Sequence, residues 1–563
     1  MDRPAAEDFP VSFLKPVSAC PLCRSRRIYY AFAVGQARVV RCDECGFMFM
    51  NPQPADEVLA QIYTEDYSVF STDDPSFPSR ASDLKAVTAT SYLDSIAPWL
   101  PTRPTQMTLL EVGCGDGHLL LEAERRGFGV TGVEYSPHAA ARAQAKLQGG
   151  RVLIGELADQ PLPAGGFDVV VLVDVIEHVR DPRRTLSILF EKLRPGGLLV
   201  AATPTRDSWS ARLMGSHWME FKLEHLSYFS RQTLEALFSQ VGFESLLTTH
   251  GRKYVSLDYV GAHFSKYPVP IWTPLVTIAT RLTPAPIRRR RVNLAGSGLL
   301  SIARKGEFRS RPLVSIVVPV YNENATIAEL LGKLHAKQLH GADKEVIIVE
   351  SNSTDGSREV VRAYESRPGF TVILEERPRG KGAATRVGLA AARGDIVMIQ
   401  DADLEYDFDD YDALLEPILS GRHPFVLGAR HGGAFWKMRQ FRSAYGASIV
   451  MNFAHWAFTW MINLCFLVRL KDPFTMYKVF RRDCVNGLRF QCNRFDFDWE
   501  LLILLIKRGY RPIEIPVNYR SRSFEEGKKV RFLRDPITWL YTLARLRLVP
   551  LRRQTLPHPS SSR

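Results

Sequence analysis

The sequence predicts an α/β protein in which a small cysteine-rich ribbon precedes two separate α/β units. Three observations predict it. Two Cys-x2-Cys pairs stand near the front, a strand, glycine-rich turn and helix begin at Leu109, and the alternation of strand-like and helix-like runs restarts at Leu313. The length of 563 residues agrees, because a single hydrophobic core rarely serves more than about 250–300 residues. Apolar residues make up 45% and charged residues 24%, the ordinary globular range, which excludes wholesale disorder, collagen-like sequence and a polytopic membrane protein.

The ribbon is expected over 15–55. Cys20-x2-Cys23 and Cys42-x2-Cys45 are separated by eighteen residues, the spacing at which two knuckles turn four thiolates toward one tetrahedral Zn2+. Between them RIYYAFAVGQARVVRC reads as strand, turn, strand, a hairpin that would bring the knuckles together. Four sulfur ligands close the coordination sphere, so the zinc would be structural. The opening MDRPAAEDFPVSF lacks the basic and apolar regions of a signal peptide. A cytoplasmic chain is expected, where sparse paired cysteines favour metal over disulfides.

The first α/β unit is expected over 85–305. LLEVGCGDGHLLLEAERRGFGVTGVEYS reads as a strand, a turn at Gly113, Gly115 and Gly117, a helix, and a strand ending in Glu134. Such glycines let a ligand approach backbone at a helix N-terminus, and an acidic residue ending the next strand can accept from ribose hydroxyls. FDVVVLVDVIEHV then leaves Asp174, Glu177 and His178 at a strand end, and LRPGGLLVAATP turns into another strand. This order resembles the class I S-adenosylmethionine-dependent methyltransferases, which have a Rossmann-like fold, over about Tyr92 to Lys305. The resemblance implies that Glu111, Gly113, Cys114, Gly115 and Gly117 line the methionine end of S-adenosylmethionine, that Glu134 holds its ribose, and that Asp159 with Gln160 lies near adenine. Transfer to a hydroxyl or acidic carbon needs a base, for which His178, Glu224 and His225 are candidates. His225 is preferred, and a buried structural histidine is the alternative. A zinc ribbon ahead of this fold resembles sugar methyltransferases, so a sugar acceptor is expected.

The second unit is expected over 313–520, after a linker at 306–312. Strand and helix alternate through VSIVVPVYNE, KEVIIVESNSTDGS, TVILEE, RGKGAATRVGLAAARG and DIVMIQDADLEYD, implying a mostly parallel sheet with ligands at its strand C-termini. Asp401 and Asp403 end an apolar strand, and paired carboxylates suit Mg2+ or Mn2+ bridging a nucleotide diphosphate. These motifs, with TMYKVFRR and IPVNYRSR, resemble the family 2 glycosyltransferases of GT-A fold, in particular the polyprenyl (dolichyl) phosphate mannose synthase-like branch, over about Leu313 to Tyr519. The resemblance implies that Pro319, Tyr321 and Glu323 border the nucleotide of a nucleotide-sugar donor. It places Lys381 near the diphosphate, Asp401 and Asp403 on the metal, and Arg430 toward donor phosphates or acceptor. Val349-Glu350-Ser351-Asn352-Ser353 departs from the V-D-D-G-S of many relatives, leaving Glu350 as the substitute contact. Asp496, Asp498, Glu500 and Asp472 would lie around the acceptor end, with Asp498 the candidate catalytic carboxylate. A phosphate acceptor is already a nucleophile and needs charge neutralisation rather than a base, a task for which Arg520, Arg522 and Lys528 are suited.

Charge completes the reading. Lys and Arg exceed Asp and Glu by 73 to 60, and from Tyr519 to Arg563 eleven basic residues meet three acidic ones. A basic amphipathic tail over 521–563, with Trp539, Leu540 and Leu543 as its apolar stripe, would rest on an anionic membrane surface; a core-packing helix is the alternative. Pro268 to Arg291 reads either as a membrane-resting excursion or as a covering helix. Ser448 to Val468 is apolar but carries Asn452, His455 and Asn463, and reads as a buried or in-plane helix rather than a span. The expectation is a bifunctional enzyme of cell-surface glycan assembly, peripheral to the inner face of the cytoplasmic membrane, with a polyprenyl-phosphate or lipid-linked glycan acceptor. The alternatives are a methyltransferase acting on an unrelated lipid or small molecule, and an RNA-modifying zinc protein. No nucleic-acid partner is expected: an RNA binder interleaves exposed aromatics with basic residues along a groove, whereas this basic tail follows the Asp401–Asp403 unit, which explains it through phosphate and lipid.

Overall fold

A computed structural model of the chain describes residues 14–34, 37–62, 77–100, 103–266, 268–307, 309–430, 445–520 and 535–551; Arg522 and Lys528 lie outside them. The chain forms one unit up to residue 308 and another from residue 309.

The first unit is built on a seven-stranded sheet in the order Phe243–Val255, Val292–Lys305, Leu193–Pro204, Phe167–Val173, Thr108–Val112, Gly129–Glu134, Arg151–Ile154. The last five strands of that order are parallel, and the long hairpin of the first two adds an antiparallel edge. The apolar runs in the central strands have a topological cause. Leu110, Val170, Leu172 and Leu199 enter one core, whereas their neighbours Leu109, Val169, Val171 and Leu198 enter another, so both faces of each strand are covered and period-2 alternation in polarity disappears.

The cysteine-rich segment is part of this unit. Ile28–Val34 and Ala37–Cys42 form the expected hairpin, and Met48–Met50 adds to it. The next strand in that small sheet is Ser227–Tyr228, which begins two residues after His225. Cys20, Leu22, Cys42, Phe47 and Phe49 share a buried cluster with Leu186, Leu189, Phe229 and Leu237, and Arg183 donates to Leu22 O at 2.7 Å.

Between Phe243–Val255 and Val292–Lys305 run helices Leu257–Lys266, Trp272–Leu282 and Ala285–Arg288. Trp272–Leu282 buries no residue, and Ile271, Leu275, Ile278 and Leu282 are all exposed along it. A covering helix would hide that stripe, so the excursion is a surface feature with its apolar side turned outward.

The second unit has its own seven-stranded sheet, in the order Phe370–Leu374, Asp343–Glu350, Leu313–Val320, Ile396–Ile399, Lys478–Arg481, Phe425–Ala429, Ile513–Pro516. Its first four strands are parallel and Lys478–Arg481 runs against both neighbours.

Helix Tyr445–Phe466 carries the apolar run singled out in the sequence. Its polar side chains point inward: Asn452, His455 and Thr459 are buried, while Phe453, Trp456, Trp460 and Leu464 are exposed. Spacings of three and four residues gather each set into its own stripe, and the two stripes lie side by side on the helix. Among the described residues no helix is long and apolar enough to cross a membrane. One expectation is corrected on the last helix, Asp535–Leu548. Trp539 stacks on Trp499 with ring centroids 5.7 Å apart, Leu543 is buried, and only Leu540 of the expected stripe is exposed. The helix packs into the core because Arg545 reaches the buried Glu500 carboxylate at 2.6 Å while the indole faces complete an aromatic cluster with Phe458 and Phe474.

Candidate active sites

In the first unit, the turn after Thr108–Val112 takes the glycine conformations that its sequence requires. Gly113, Gly115 and Gly117 all have positive φ. A Cβ on Gly113 would lie 2.4 Å from Val175 Cγ2, and one on Gly117 2.8 Å from Ala143 Cβ, whereas one on Gly115 meets nothing within 4 Å. The outer glycines therefore seat the turn, and the middle one faces open space. Glu134 folds back onto it: Gly115 N donates to Oε2 at 2.7 Å and Ser136 N to Oε1 at 2.9 Å. Each oxygen keeps acceptor capacity for a hydroxyl. Glu111 is buried with Oε2 unpartnered, and burial, with Glu134 nearby, holds its carboxyl well above the usual range. Cys114 turns its thiol toward Gly132, so only its backbone faces the turn. Asp159 is exposed in the short turn Leu157–Asp159. This arrangement fits a nucleoside cofactor with a positively charged end.

The next strand, Phe167–Val173, delivers a second group of side chains. Asp174 has φ +52° and holds Lys253 Nζ at 2.8 and 3.0 Å. Lys253 was missed in the sequence, because it comes from a distant antiparallel strand with no motif around it. Burial alone would lower its pKa, and Asp174 outweighs this. Glu177 accepts from Thr203 Oγ1 at 2.9 Å; burial and then Asp174 push its carboxyl up to about 8. His178 and His225, far apart in sequence, meet edge to face with ring centroids 4.6 Å apart. Their Nδ1 atoms lie 3.0 Å from Glu224 O and 2.8 Å from Glu220 O. Burial pushes His178 down to about 4 and His225 well below its usual value, so both are neutral near pH 7. Glu224 is buried beside them and contributes its backbone carbonyl.

The four cysteines also come together. Cys20 and Cys45 sulfurs are 3.6 Å apart and those of Cys23 and Cys42 3.5 Å, and all four lie within 4.8 Å of one another. Tetrahedral Zn–S bonds of about 2.3 Å require sulfurs about 3.8 Å apart, so the donor set and its size fit zinc.

In the second unit, the predicted residues gather at the strand C-termini. Lys381, first residue of helix Lys381–Ala391, contacts Asp401 Oδ1 at 2.5 Å. Burial would lower its pKa, and Asp401 with Asp498 holds it up. Asp403 is buried and accepts from Glu405 N at 3.2 Å. Asp498, near the start of helix Phe497–Lys507, has its carboxyl raised by burial against the opposing pull of Lys381 and Lys478. Lys478 is wholly buried and was also missed, since TMYKVFRR served only as a motif of the resemblance and gave this lysine no role. Pro319 is buried, Tyr321 is exposed, and Glu323 caps helix Asn324–Ala336 with its N–H on Ser357 Oγ.

Two predicted contacts, Glu350 and Asp472, sit differently from the sequence expectation. Glu350 is fully buried and binds its own loop, through Ser353 N at 2.6 Å and Arg358 at 3.2 Å. Asp472 is fully buried and takes Arg430 in a fork, Nε at 2.7 Å and Nη2 at 2.7 Å. A carboxylate with no exposed surface cannot touch an acceptor directly, so Asp472 orients Arg430, whose guanidinium also lies over Tyr519. Arg520 has its side chain exposed, and its backbone N–H donates to Glu405 O at 2.8 Å, which holds the residue beside the acidic loop.

Residues 85–248 match the family model described as methyltransferase domain, and residues 315–469 match glycosyl transferase family 2. The chain carries both domains. The methyltransferase domain region is similar to a protein of Mycolicibacterium smegmatis named probable S-adenosylmethionine-dependent methyltransferase, at 33% identity over 27% of this chain and 58% of that one. The glycosyltransferase domain region is similar to the dolichol-phosphate mannosyltransferase of Pyrococcus furiosus, at 26% identity over 38% of this chain and 58% of the relative. It is also similar to the undecaprenyl-phosphate 4-deoxy-4-formamido-L-arabinose transferase of Edwardsiella ictaluri, at 28% over 42% and 70%. The chain thus spans 58% of the length of the first two of these relatives. Among solved structures, glucosyl-3-phosphoglycerate synthase of Mycobacterium tuberculosis, with Mn2+ and uridine diphosphate, aligns at 22% identity and a TM-score of 0.32, covering 42% of this chain and 81% of that one. A Mesorhizobium loti S-adenosylmethionine-dependent methyltransferase aligns at 18% and 0.26, covering 38% and 96%.

Proposed function

We propose that the chain is a bifunctional enzyme of cell-surface glycan or glycolipid assembly. Residues 313–520 transfer a sugar from a nucleotide-sugar donor to a polyprenyl-phosphate or lipid-linked glycan, residues 85–305 methylate a sugar or related acceptor with S-adenosylmethionine, and residues 15–55 hold a structural Zn2+. The observation that carries the reading lies within the second unit. A cluster of the buried Asp403 and Asp498 with the part-buried Lys381 and Asp401 occurs in the same unit as a helix whose apolar face, through Phe453, Trp456, Trp460 and Leu464, is turned outward. Polar diphosphate chemistry and a lipid-facing surface in one unit suit a lipid-borne acceptor. The names of the relatives as dolichol- and undecaprenyl-phosphate transferases agree with it.

Asp401 and Asp403 would hold Mg2+ or Mn2+, which would neutralise charge developing on the departing diphosphate. Lys381, already against Asp401, would approach the same diphosphate. Arg430, fixed by Asp472, would face phosphate oxygens with its orientation set in advance. A phosphate acceptor arrives ionised, so the buried Asp498 carboxyl need not act as base. In the methyltransferase domain, Glu134 would take the ribose, the Gly115 backbone would let the cofactor approach, and His178 and His225 would border the acceptor. Incubating the full chain with nucleotide sugars and undecaprenyl phosphate in liposomes should yield a glycosylated lipid by mass spectrometry. Transfer to water-soluble acceptors with none to the lipid would overturn the reading.

Two further outcomes are expected. Gly113→Ala places a Cβ at positive φ against Val175, costing about 1–3 kcal/mol of strain, and should weaken S-adenosylmethionine binding at least about tenfold by calorimetry; unchanged affinity would refute the turn as the cofactor site. Trp456→Glu with Trp460→Glu should lower binding to anionic liposomes about tenfold or more, since each indole buries apolar area worth about 1.5–3 kcal/mol. High salt should weaken the remaining attraction. Cosedimentation reads both effects, and a double variant that binds as well as the parent would exclude this face.

A further inference from the structure

We propose that Glu177, His178 and His225 form a second transition-metal site, inside the methyltransferase domain, taking a first-row divalent cation through one carboxylate oxygen and two imidazole nitrogens. Each of the three side chains offers a ligand atom, and these atoms lie within 4.8 Å of one another. Among the described residues only the four cysteines form another group of three or more such ligands.

The histidines are arranged as metal ligands are. A backbone carbonyl can only accept, so His178 and His225 must each carry their proton on Nδ1 to meet Glu224 O and Glu220 O. Nε2 is thereby left with the lone pair, and the carbonyls fix the ring orientations, as partners behind a metal ligand usually do. The glutamate supplies the independent sign. Glu177 is 1% exposed; one oxygen takes the Thr203 hydroxyl at 2.9 Å, while Oε1 is buried with no hydrogen-bond partner. A buried carboxyl oxygen without a partner is costly, and a cation meeting it would both partner that oxygen and hold the group ionised. Lys253 does not serve, because its ammonium is bonded to both oxygens of Asp174.

The site is also held rigid. Leu226 N and Ser227 N both donate to Glu177 O, at 2.8 and 3.0 Å, which ties the segment bearing His225 to the one bearing Glu177 and His178. The ligand set of two imidazoles and one carboxylate suits Zn2+, Fe2+, Co2+ or Mn2+ and leaves positions open, unlike the closed four-thiolate site. Val175, two residues before Glu177, packs on Gly113 of the cofactor turn. Through Val175 the site adjoins the cofactor turn, and a hydroxyl or carbonyl oxygen of the acceptor would take the open positions. His225 then acts as a ligand rather than as the base expected from sequence. The role of the open positions rests on the methyltransferase reading; the presence of the metal does not.

The test uses the full chain carrying Asp401→Asn and Asp403→Asn, so that the hard-cation pair is silent, expressed with Co2+. Elemental analysis should find about two cobalt ions per chain, one giving intense thiolate-to-metal absorption and the other only weak ligand-field bands. Proton NMR of this parent should show strongly shifted imidazole N–H signals, a readout that needs no further variant. His225→Gln and Glu177→Gln should each lose the second cobalt and those shifted signals while keeping the thiolate band. About one cobalt per chain in the parent, or the absence of shifted imidazole signals, would overturn the proposal whether or not the variants fold. Retention of both ions in folded His225→Gln and Glu177→Gln would overturn it as well. Loss of methyl transfer without any change in cobalt content would count against the metal and leave the methyltransferase reading standing.

Discussion

Asp403→Asn should reduce sugar transfer by about 10³-fold or more while leaving S-adenosylmethionine binding unchanged. The carboxylate is buried at the C-terminal end of the strand Ile396–Ile399, and Asn keeps its shape while removing the charge that would bind a divalent cation. A bound metal contributes several kcal/mol of charge stabilisation in such a step, and each 1.36 kcal/mol is about tenfold in rate. Lys381 cannot compensate, because it is already committed to Asp401. The cofactor turn at Gly113–Gly117 belongs to a separate unit, so its affinity should not move. A radiolabelled sugar assay and cofactor calorimetry on the same protein decide the matter. Transfer within tenfold of the parent would remove Asp403 from the metal site, and loss of cofactor binding would show that the two domains are energetically linked.

How much of this was legible in the sequence depended on whether a residue's role is local. The glycine turn, the Asp401–Ala402–Asp403 loop and the cysteine pairs are set by neighbours in the chain, and the structure places each at the strand end or knuckle that its motif implied. Asp472 and Glu350 misled because an acidic residue beside a motif reads the same whether it faces a ligand or a neighbour; only the fold shows Asp472 forked onto Arg430 and Glu350 closed onto Ser353. Lys253 and Lys478 were invisible for the complementary reason, since their partners are Asp174, 79 residues away, and Asp498. The outward apolar face gives a third case. Periodicity in Tyr445–Phe466 reports two faces but not which one the core takes, and here the polar Asn452, His455 and Thr459 go inside. The C-terminal helix reversed the same ambiguity, burying Trp539 against Trp499. Cutting the chain after Pro516 would therefore uncover an aromatic core rather than simply delete a membrane contact.

Cys42→Ser should have the largest effect on stability, and its reach should extend beyond the ribbon. A structural zinc contributes about 10–16 kcal/mol of apparent binding energy in isolated zinc-finger peptides, comparable with the whole stability of a typical domain. Losing the zinc destabilises the front module first, because the four thiolates close its knuckles. The structure couples that module to the methyltransferase domain in two ways: Phe49 and Met48 pair with Ser227 and Tyr228, and Cys20, Phe47 and Phe49 lie in one core with Leu189 and Phe229. Ser227 N also donates to Glu177 O, so the strand that closes the ribbon sheet is the one that holds the His178–His225 pair in place. Cys42→Ser, or zinc removal by chelator, should therefore lower the melting temperature of the first unit and weaken cofactor binding together. The second unit should keep its own transition and its sugar transfer, because its cores are built from residues after 309. Calorimetric melting, zinc analysis and cofactor titration on the full chain test this. Parent protein purified without chelator and containing no zinc would refute the metal assignment, and a variant that loses zinc yet binds the cofactor with parental affinity would refute the coupling through Ser227 and Tyr228.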